Sequence, residues 1–333
     1  MLGIGIISPS NIAFNRFLPS LMQSKNCQYI GVGIANADEW DGPASKETIC
    51  AEKTKAQAFQ DRFGGSVFSS YQDVLDNPAV QAVYLPLPPA LHYKWGKKVL
   101  EAGKHLLMEK PFTTNYKDTV ELLALAREKN LCVHENYMFQ YHSQLAWIEE
   151  QIRSGKVGEI RMIRAAFGFP FRGSQDFRYN KKMGGGALLD CGGYPVRLAM
   201  HLLGADSLVI TSQLAMGRDL DVDLYGSATI RNPSGQIAQI SFGMDNSYKC
   251  ELEIWGSTGC LVADRVFTAP AGYSPIIRIK TQDNEEVVQL LPDDAFMKSI
   301  DVFVNNIHNE KSRCHTFEAI RVQAKAIQAI MEE

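Results

Sequence analysis

The sequence predicts two domains, an α/β domain with a parallel sheet followed by an α+β domain with an antiparallel sheet. The length of 333 residues exceeds one ordinary domain of about 150 residues. In the first part of the chain, short apolar runs alternate with longer amphipathic runs, which is typical of βα units. After about residue 150, segments of alternating polarity follow one another without helices between them. We therefore predict an α/β domain over residues 1–132 and an α+β domain over residues 133–333.

The elements of the first domain follow one another in βα order. Residues 3–7 form a continuous apolar run, as expected of a buried parallel strand. Ser8-Pro-Ser10 is a turn before a predicted helix over 11–24. The further predicted strands are 29–35, 67–69, 82–87, 105–108 and 131–135, and the further predicted helices are 53–63, 70–75, 93–102 and 113–129. An irregular segment is expected after Asp38-Glu39, as far as about Lys53.

Strands dominate the second domain. Period-two alternation over 159–169, 209–216 and 221–230 predicts half-buried strands. Asn232-Pro-Ser-Gly235 separates the runs 227–231 and 236–244, which indicates a hairpin. A last helix is predicted over 316–331.

Composition excludes several classes of protein. With 34 Lys+Arg against 37 Asp+Glu and a net charge of −3, a broad electrostatic surface for nucleic acid or an anionic membrane is not expected. The most apolar run, 83–91, contains three prolines and is too short to span a bilayer. The N-terminal residues include neither a basic region nor a long apolar stretch, so we expect no leader peptide and a cytoplasmic location. The seven cysteines are scattered without C-x-x-C spacing, so we expect reduced thiols and no metal site.

The turn after the first strand is a candidate dinucleotide site. In a dinucleotide fold, the pyrophosphate lies at this turn, against the N–H groups of the following helix. Small residues let the backbone approach phosphate closely, and here Ser8, Ser10 and Ala13 stand where the usual fingerprint has Gly, Gly and Gly or Ala. An ordinary polar βα turn is the alternative. At the end of the second strand, Asn36-Ala37 offers no carboxylate to a ribose 2′-hydroxyl, which favours NADP over NAD.

Two further segments carry chemistry. Lys110 follows the strand 105–108, and the carboxyl ends of parallel strands form the ligand crevice of an open α/β sheet; a surface lysine is the alternative. In the glycine-rich segment 183–195, Asp190 and Tyr194 share one face if the segment is helical. The glycines and Pro195 predict a distorted helix there.

The two segments resemble the glucose–fructose oxidoreductase / inositol dehydrogenase family of nicotinamide enzymes. Residues 102–111 match its A-G-K-H-x-x-x-E-K-P motif, and residues 184–194 match its G-G-G-A-L-x-D-x-G-x-[HY] motif. Residues 134–142 resemble the segment that leads into the family's second domain, so the resemblance covers nearly the whole chain. It implies a Rossmann domain, then a domain with a large, mostly antiparallel sheet whose outer face makes contacts in a homo-oligomer, a dimer or tetramer.

The resemblance also implies roles for residues. Lys110 matches the family's catalytic lysine, and Asp190 and Tyr194 match its Asp and His/Tyr positions. The residues that it implies for cofactor binding are Ser8, Ser10, Asn11, Ile12, Asn36, Leu85, Pro86, Leu87, His92, Glu109 and Lys110. The substrate would contact Lys110, Asp190, Tyr194 and Arg178, although a solvated surface position for Arg178 is equally compatible with the sequence. Residues 254–271 resemble a segment of the 3-ketoreductases that act on nucleotide-linked deoxysugars.

These observations predict an oxidoreductase that transfers a hydride between NADP or NAD and a sugar carbonyl or hydroxyl, with reduction of a 3-keto nucleotide sugar as the first choice. We assign Tyr194 as proton donor and Lys110 as its electrostatic partner, although the two roles could be exchanged. A sugar or trans-dihydrodiol dehydrogenase and a non-catalytic dinucleotide sensor are the alternatives. We expect Lys110, Tyr194 and Asp190 to converge on one pocket, with glycines 184–186 and 192–193 lining its wall.

Overall fold

A computed structural model describes residues 1–39 and 46–333. The chain divides into two compact units. Unit 1 consists of Met1–Asn136 and Phe296–Arg321, and unit 2 consists of Tyr137–Ala295 and Val322–Glu333. This division differs from the one made on sequence, because residues 296–321 pack with unit 1 although they follow unit 2 in the chain.

The strands and helices are numbered in chain order. The strands are β1 (Leu2–Ile7), β2 (Cys27–Gly33), β3 (Ser66–Phe68), β4 (Ala82–Leu85), β5 (His105–Met108), β6 (Val133–Glu135), β7 (Ile160–Gly168), β8 (Leu208–Met216), β9 (Asp223–Arg231), β10 (Ile237–Gly243), β11 (Lys249–Gly256), β12 (Gly259–Ala263), β13 (Ile276–Thr281) and β14 (Glu285–Gln289). The helices are α1 (Leu18–Leu21), α2 (Lys46–Phe63), α3 (Tyr71–Asp76), α4 (His92–Glu101), α5 (Tyr116–Glu128), α6 (Ser143–Arg153), α7 (Gly193–Leu203), α8 (Ala295–His308) and α9 (Glu310–Glu332). Two π-helical turns, Ala13–Phe17 and Leu188–Gly192, lead into α1 and α7.

Unit 1 contains a six-stranded parallel sheet in the order β3-β2-β1-β4-β5-β6. This is the Rossmann strand order, so the predicted parallel α/β fold is confirmed. The central strands β1 and β4 are almost entirely apolar, as expected where helices cover both faces of such a sheet; Ile6, Val83 and Leu106, for example, are completely buried. The strand order reverses between β1 and β4, which places the expected ligand crevice at the carboxyl ends of these strands.

The segment between β2 and β3 differs from its prediction. The residues after Glu39, as far as about Lys53, are expected to be irregular, but α2 begins at Lys46. The first turns of α2 are mostly polar and exposed, so the hydrophobic pattern that reveals a helix is weak there. Residues 40–45 of this segment lie outside the described residues.

Unit 2 contains an eight-stranded sheet in the order β14-β13-β12-β11-β7-β10-β9-β8. All neighbouring strands are antiparallel except β7 and β10, which are parallel. The predicted large, mostly antiparallel sheet is therefore confirmed. The hairpin turn between β9 and β10 also forms as predicted, with the Gly235 N–H donating to the Asn232 carbonyl at 3.0 Å. Within residues 1–39 and 46–333, no helix is long and apolar enough to cross a membrane.

Candidate active site

The turn after β1 combines an unusual backbone conformation with a helix start. Ser8 has a φ of 72°, a left-handed conformation that non-glycine residues seldom adopt. The Ser8 hydroxyl donates to Glu52 Oε1 at 2.6 Å, and the Ser10 hydroxyl accepts from the Ala13 N–H at 3.1 Å. Ser10 thus caps the helix, whose first N–H groups have no partner within it. The turn therefore has the form of a phosphate-binding turn with serine in place of glycine.

Glu52 stabilises this turn through a hydrogen bond to Ser8, and this role was not predicted from the sequence. Its carboxylate is buried and accepts from the Ala35 N–H at 2.5 Å and from the Tyr71 hydroxyl at 2.7 Å, in addition to Ser8. One side chain of α2 therefore ties the end of β1 to the residues after β2. The predicted helix began at Lys53, the residue after Glu52, so the sequence offered no reason to place Glu52 on a helix.

The residues after β2 carry a second buried carboxylate, that of Glu39. It accepts from the N–H groups of Asn36, Tyr71 and Gln72 at 2.9 to 3.0 Å and so caps the amino end of α3. The Asn36 side chain is exposed, and its Oδ1 accepts from the Asp38 N–H. The acidic side chain of Glu39 therefore bonds inward to the backbone, so it does not supply the carboxylate that commonly binds a ribose 2′-hydroxyl.

The ends of β4 and β5 meet at a polar network. Glu109 Oε1 accepts from the Tyr84 hydroxyl and the Asn136 amide, each at 2.6 Å. Asn136 Oδ1 in turn accepts from the Ser299 hydroxyl on α8 at 2.8 Å. Burial raises the pKa of Glu109, although Tyr84, Asn136 and the neighbouring Lys110 ammonium act against that rise. The predicted cofactor residues at the end of β4, Leu85–Leu87, are buried beside this network.

His92 connects the segments after β4 and β5. Its ring is completely buried, with Nε2 2.7 Å from the Leu87 carbonyl oxygen and Nδ1 2.7 Å from the Pro111 carbonyl oxygen. Burial lowers the pKa of His92 to about 4; the Lys110 charge adds to this effect, and the two carbonyl contacts oppose it. His92 therefore links the backbone segments that follow β4 and β5. Its predicted contact with a cofactor stays a prediction, as does that of Lys110, whose peptide bond to Pro111 is cis.

In unit 2 the structure brings Arg178 and Asp190 together. The Arg178 Nε donates to Asp190 Oδ2 at 2.8 Å, and its Nη1 donates to Asp176 Oδ1 at 3.1 Å. Asp176, which the sequence analysis did not select, also accepts from the Arg178 N–H at 3.0 Å. The guanidinium is thus held between two carboxylates, and Asp190 is 8% exposed. The surface alternative for Arg178 does not hold, because its side chain is largely buried in this ion pair.

Tyr194 lies in an aromatic cluster that we define as the rings of Tyr137, Phe139, Phe167, Tyr194 and Phe267. The four other ring centroids lie 5.0 to 5.9 Å from that of Tyr194. Such tilted and edge-to-face contacts fix the plane of the ring. Tyr194 is 7% exposed.

The glycine-rich segment is distorted as predicted, because a π-helical turn precedes α7. Three of its glycines have a reason in the packing of the protein itself. A side chain at Gly192 would meet the Phe242 ring at 2.9 Å, and one at Gly193 would collide with the Tyr137 hydroxyl. A side chain at Gly185 would collide with the Arg178 carbonyl. These glycines give room to neighbouring protein groups, and their predicted place in the wall of a ligand pocket stays a prediction.

A Rossmann sheet followed by a large, mostly antiparallel sheet is the architecture of a class of two-domain oxidoreductases. Residues 3–137 match the family described as oxidoreductase family, NAD-binding Rossmann fold, and residues 145–262 match the GFO/IDH/MocA C-terminal domain. The chain belongs to the GFO/IDH/MocA family of oxidoreductases, as the resemblance of its motifs predicted.

Curated relatives cover nearly the whole chain. It is 38% identical to the dTDP-3,4-didehydro-2,6-dideoxy-alpha-D-glucose 3-reductase of Actinomadura kijaniata, over 98% of this chain and 94% of that one. It is 36% identical to the enzyme of the same name from Saccharopolyspora spinosa, over 91% and 87% of the two chains.

Solved structures agree with these relatives. The 3-ketoreductase of A. kijaniata in complex with TDP-benzene and NADP has a TM-score of 0.91 and 36% identity, over 99% of this chain and 97% of that one. That structure carries a tyrosine-to-phenylalanine substitution, and another carries a lysine-to-alanine substitution. The two substituted residues stand 84 positions apart, as Lys110 and Tyr194 do here. An aldose-aldose oxidoreductase from Caulobacter crescentus, with a TM-score of 0.83 and 19% identity over 99% and 98% of the two chains, shares the fold.

Proposed function

We propose that this protein reduces the 3-keto group of a dTDP-linked deoxysugar and uses NADPH as the reductant. The observation that carries the proposal is the shared spacing of Lys110 and Tyr194 with the lysine and tyrosine substituted in the A. kijaniata 3-ketoreductase. Identity of 38% over 98% of the chain to a reductase of such a sugar supports the same substrate class.

Reduction of a ketone to an alcohol adds a hydride to carbon and a proton to oxygen. NADPH supplies the hydride when it is bound. Tyr194 donates the proton from its hydroxyl to the carbonyl oxygen, and the Lys110 ammonium stabilises the negative charge that develops on that oxygen. The aromatic cluster holds the tyrosine ring in one orientation, so its hydroxyl needs little rearrangement before proton transfer.

Asp190 and Arg178 hold the substrate. The carboxylate of Asp190 accepts from a sugar hydroxyl while it stays paired with Arg178. Because Arg178 also binds Asp176, the position of the Asp190 carboxylate is fixed by a second charged group. Asp176 is thus a positioning residue for this interaction.

The residues after β1 and β2 fit NADP. The Ser8 turn and the start of the following helix would hold the pyrophosphate, and Asn36 would lie beside the adenosine ribose. Glu39 and Glu52 both turn their carboxylates into the protein, so neither competes with a ribose 2′-phosphate for the same space. We expect NADPH to bind more tightly than NADH by less than ~2 kcal/mol, because no arginine is evident to bind the phosphate.

The test is a turnover assay with a dTDP-linked 3-keto-deoxysugar, followed by loss of NADPH absorbance. Tyr194→Phe should lower kcat by about 100-fold or more, with the Kd for NADPH unchanged, and Lys110→Ala should lower kcat at least as much. Tyr93→Phe, which removes the same hydroxyl from a residue of α4 that bonds Glu121 at the protein surface, is the matched control. A Tyr194→Phe enzyme with a normal rate would overturn the mechanism.

A second candidate is oxidation of a free sugar in the same site. A D-xylose 1-dehydrogenase (NADP(+)) from Haloferax volcanii is 24% identical over 98% of this chain and 96% of that one. One assay distinguishes the two candidates. If the protein oxidises a free sugar, an aldose with NADP⁺ is turned over faster than the dTDP-ketosugar with NADPH.

We also propose a homo-oligomer, a dimer or tetramer, formed through the outer face of the eight-stranded sheet. Trp255 and Tyr225 are about half exposed on this face, which holds a depression of about 440 Å³ lined by β7, β9, β10 and β11. Exposed aromatic residues around such a depression are typical of an interface. Trp255→Lys should lower the mass measured by light scattering, whereas Met22→Lys in unit 1 should not. The cytoplasmic location stays a prediction.

A further inference from the structure

Arg265 lies in the loop after β12, and two contacts fix its backbone. The Gln144 side-chain amide donates to the carbonyls of Arg265 and Val266 at 3.3 and 3.4 Å. The Val266 N–H donates to the Cys250 carbonyl at 3.1 Å. Gln144 itself is 1% exposed. The loop therefore presents Arg265 from a rigid base, which is what a preorganised binding group requires.

The side chain of Arg265 packs against two tyrosine rings. Its guanidinium carbon lies 5.8 Å from the ring centroid of Tyr248 and 5.4 Å from that of Tyr273. Contact with aromatic faces positions a guanidinium without using its N–H donors. The donors thus stay available for an anion.

No carboxylate of the described residues forms an ion pair with this guanidinium. Asp264, the residue before it, is engaged by Arg278, which donates from Nη1 and Nη2 at 2.9 and 2.6 Å. Among residues 1–39 and 46–333, Arg265 forms no ion pair, and its buried Nε has no hydrogen-bond partner. A buried charged donor without an acceptor is costly. The arrangement is therefore that of a group whose acceptor comes from a ligand.

The same loop reaches the aromatic cluster. Phe267, two residues after Arg265, has its ring centroid 5.9 Å from that of Tyr194 and 5.1 Å from that of Phe139. Two extended residues span at most about 7 Å. The loop therefore places Arg265 two residues from a ring that packs on Tyr194, and one ligand that contacts both would carry its reacting carbon and its anionic group in the same small molecule, as a sugar joined directly to a diphosphate does.

We infer that Arg265, flanked by Tyr248 and Tyr273, binds the diphosphate of a nucleoside-diphosphate-linked sugar. This inference rests on the proposed function and names the subsite that distinguishes a nucleotide-linked sugar from a free one. The planar guanidinium offers paired N–H donors that match phosphate oxygens. Tyr248 is 50% exposed, and its ring covers one side of the bound anion from solvent.

The test is calorimetric titration of the full-length protein, saturated with NADPH, with dTDP, thymidine and inorganic pyrophosphate. Arg265→Gln should weaken dTDP and pyrophosphate binding by about tenfold or more and leave thymidine binding within about twofold. Arg265→Lys keeps the charge without the paired donors and should lie between. Arg161→Gln, an exposed arginine of β7 paired with Glu159, is the control and should change nothing.

Two outcomes overturn the inference: an unchanged dTDP affinity in a folded Arg265→Gln protein, or an equal loss for dTDP and thymidine, which would place the base and not the diphosphate at Arg265. Failure of the proposed function gives a different result. If the ketosugar is not reduced while dTDP binding still depends on Arg265, the reaction is misassigned and the subsite holds. If the ketosugar is reduced but dTDP binding does not depend on Arg265, the proposed reaction is correct and the proposed diphosphate subsite is wrong.

Discussion

Single buried polar residues hold the strand ends of unit 1. Glu52 and Glu39 each collect three hydrogen bonds from groups that follow β1, β2 or β3. His92 contacts the backbone carbonyl oxygens of one residue after β4 and one residue after β5. None of the three offers its polar atoms to solvent, so each acts on a ligand through the backbone that it holds. Such residues follow no short motif, because their partners are distant in sequence.

His92 makes the folding stability of the protein pH-dependent. Its pKa is lowered to about 4 in the folded state, against about 6.5 in an unfolded chain. The unfolded state therefore binds the extra proton between these values, and the free energy of unfolding falls as pH drops from about 6.5 towards 4, by at most about 1.4 kcal/mol per pH unit.

The measurement is urea unfolding at several pH values for the wild type and His92→Gln. The slope of stability against pH in this window should be smaller in the variant. Part of the slope should remain, because burial also lowers the pKa of His105 to about 4. Identical slopes in the two proteins would contradict the assignment.

Elements were predictable where their signal is local. The runs of β1 and β5, the Ser70 cap of α3 and the hairpin at Asn232 all lie within a few residues of the sequence that specifies them. The distortion before α7 was predicted for the same reason, since several glycines within one or two turns weaken a regular helix. What the glycines face could not be predicted, because Phe242 and Tyr137 reach them through tertiary packing.

The packing of the π-helical turn gives a stability prediction. Gly192→Ala would place a methyl group 2.9 to 3.0 Å from carbons of the buried Phe242 ring, and this overpacking should cost about 1–3 kcal/mol in the free energy of unfolding. Chemical denaturation measures the loss. In a Phe242→Leu background the cost should shrink. An equal cost in both backgrounds would show that the ring is not what excludes the side chain.

Helix α2 gives a binding prediction through Glu52. Glu52→Gln removes the charge that holds Ser8 and the Ala35 N–H, so the KM for NADPH should rise about tenfold while kcat stays within about twofold. Asp61→Asn makes the same change of charge on an exposed residue of α2 and serves as the control. The effect should be smaller in a Ser8→Gly background, because glycine adopts the left-handed conformation without support. A full effect there would mean that Glu52 does not act through Ser8.

At the scale of the whole molecule, the fold and the family followed from sequence, since βα alternation, two motifs and a change of rhythm near residue 150 are spread along the chain. The division into units did not follow. Residues 296–321 pack with unit 1. The sequence pattern of α8 predicts a buried face, but it does not indicate which unit's hydrophobic core that face packs against. Lys110 belongs to unit 1 and Tyr194 to unit 2, so their joint action is a prediction about the complete protein.

A double-variant cycle tests that joint action. If Lys110 and Tyr194 serve one carbonyl, the kcat of Lys110→Ala/Tyr194→Phe should be close to that of the worse single variant, because groups that act as a unit are not additive. Single-turnover rates with NADPH in excess measure the chemical step directly. Losses that multiply would show that the two residues act independently.

The parallel pairing of β7 with β10 has a consequence for the order in which unit 2 is assembled during synthesis. β7 lies at the centre of the eight-stranded sheet, yet its two neighbours, β10 and β11, are made only after β8 and β9. The hairpins β8–β9 and β9–β10 can close as soon as they leave the ribosome, because their loops are short. β7, whose inward-facing residues are apolar, must wait unpaired until residues 237–256 have been added. This stretch of translation is therefore when the nascent chain exposes a bare strand to chaperones, and to other nascent chains.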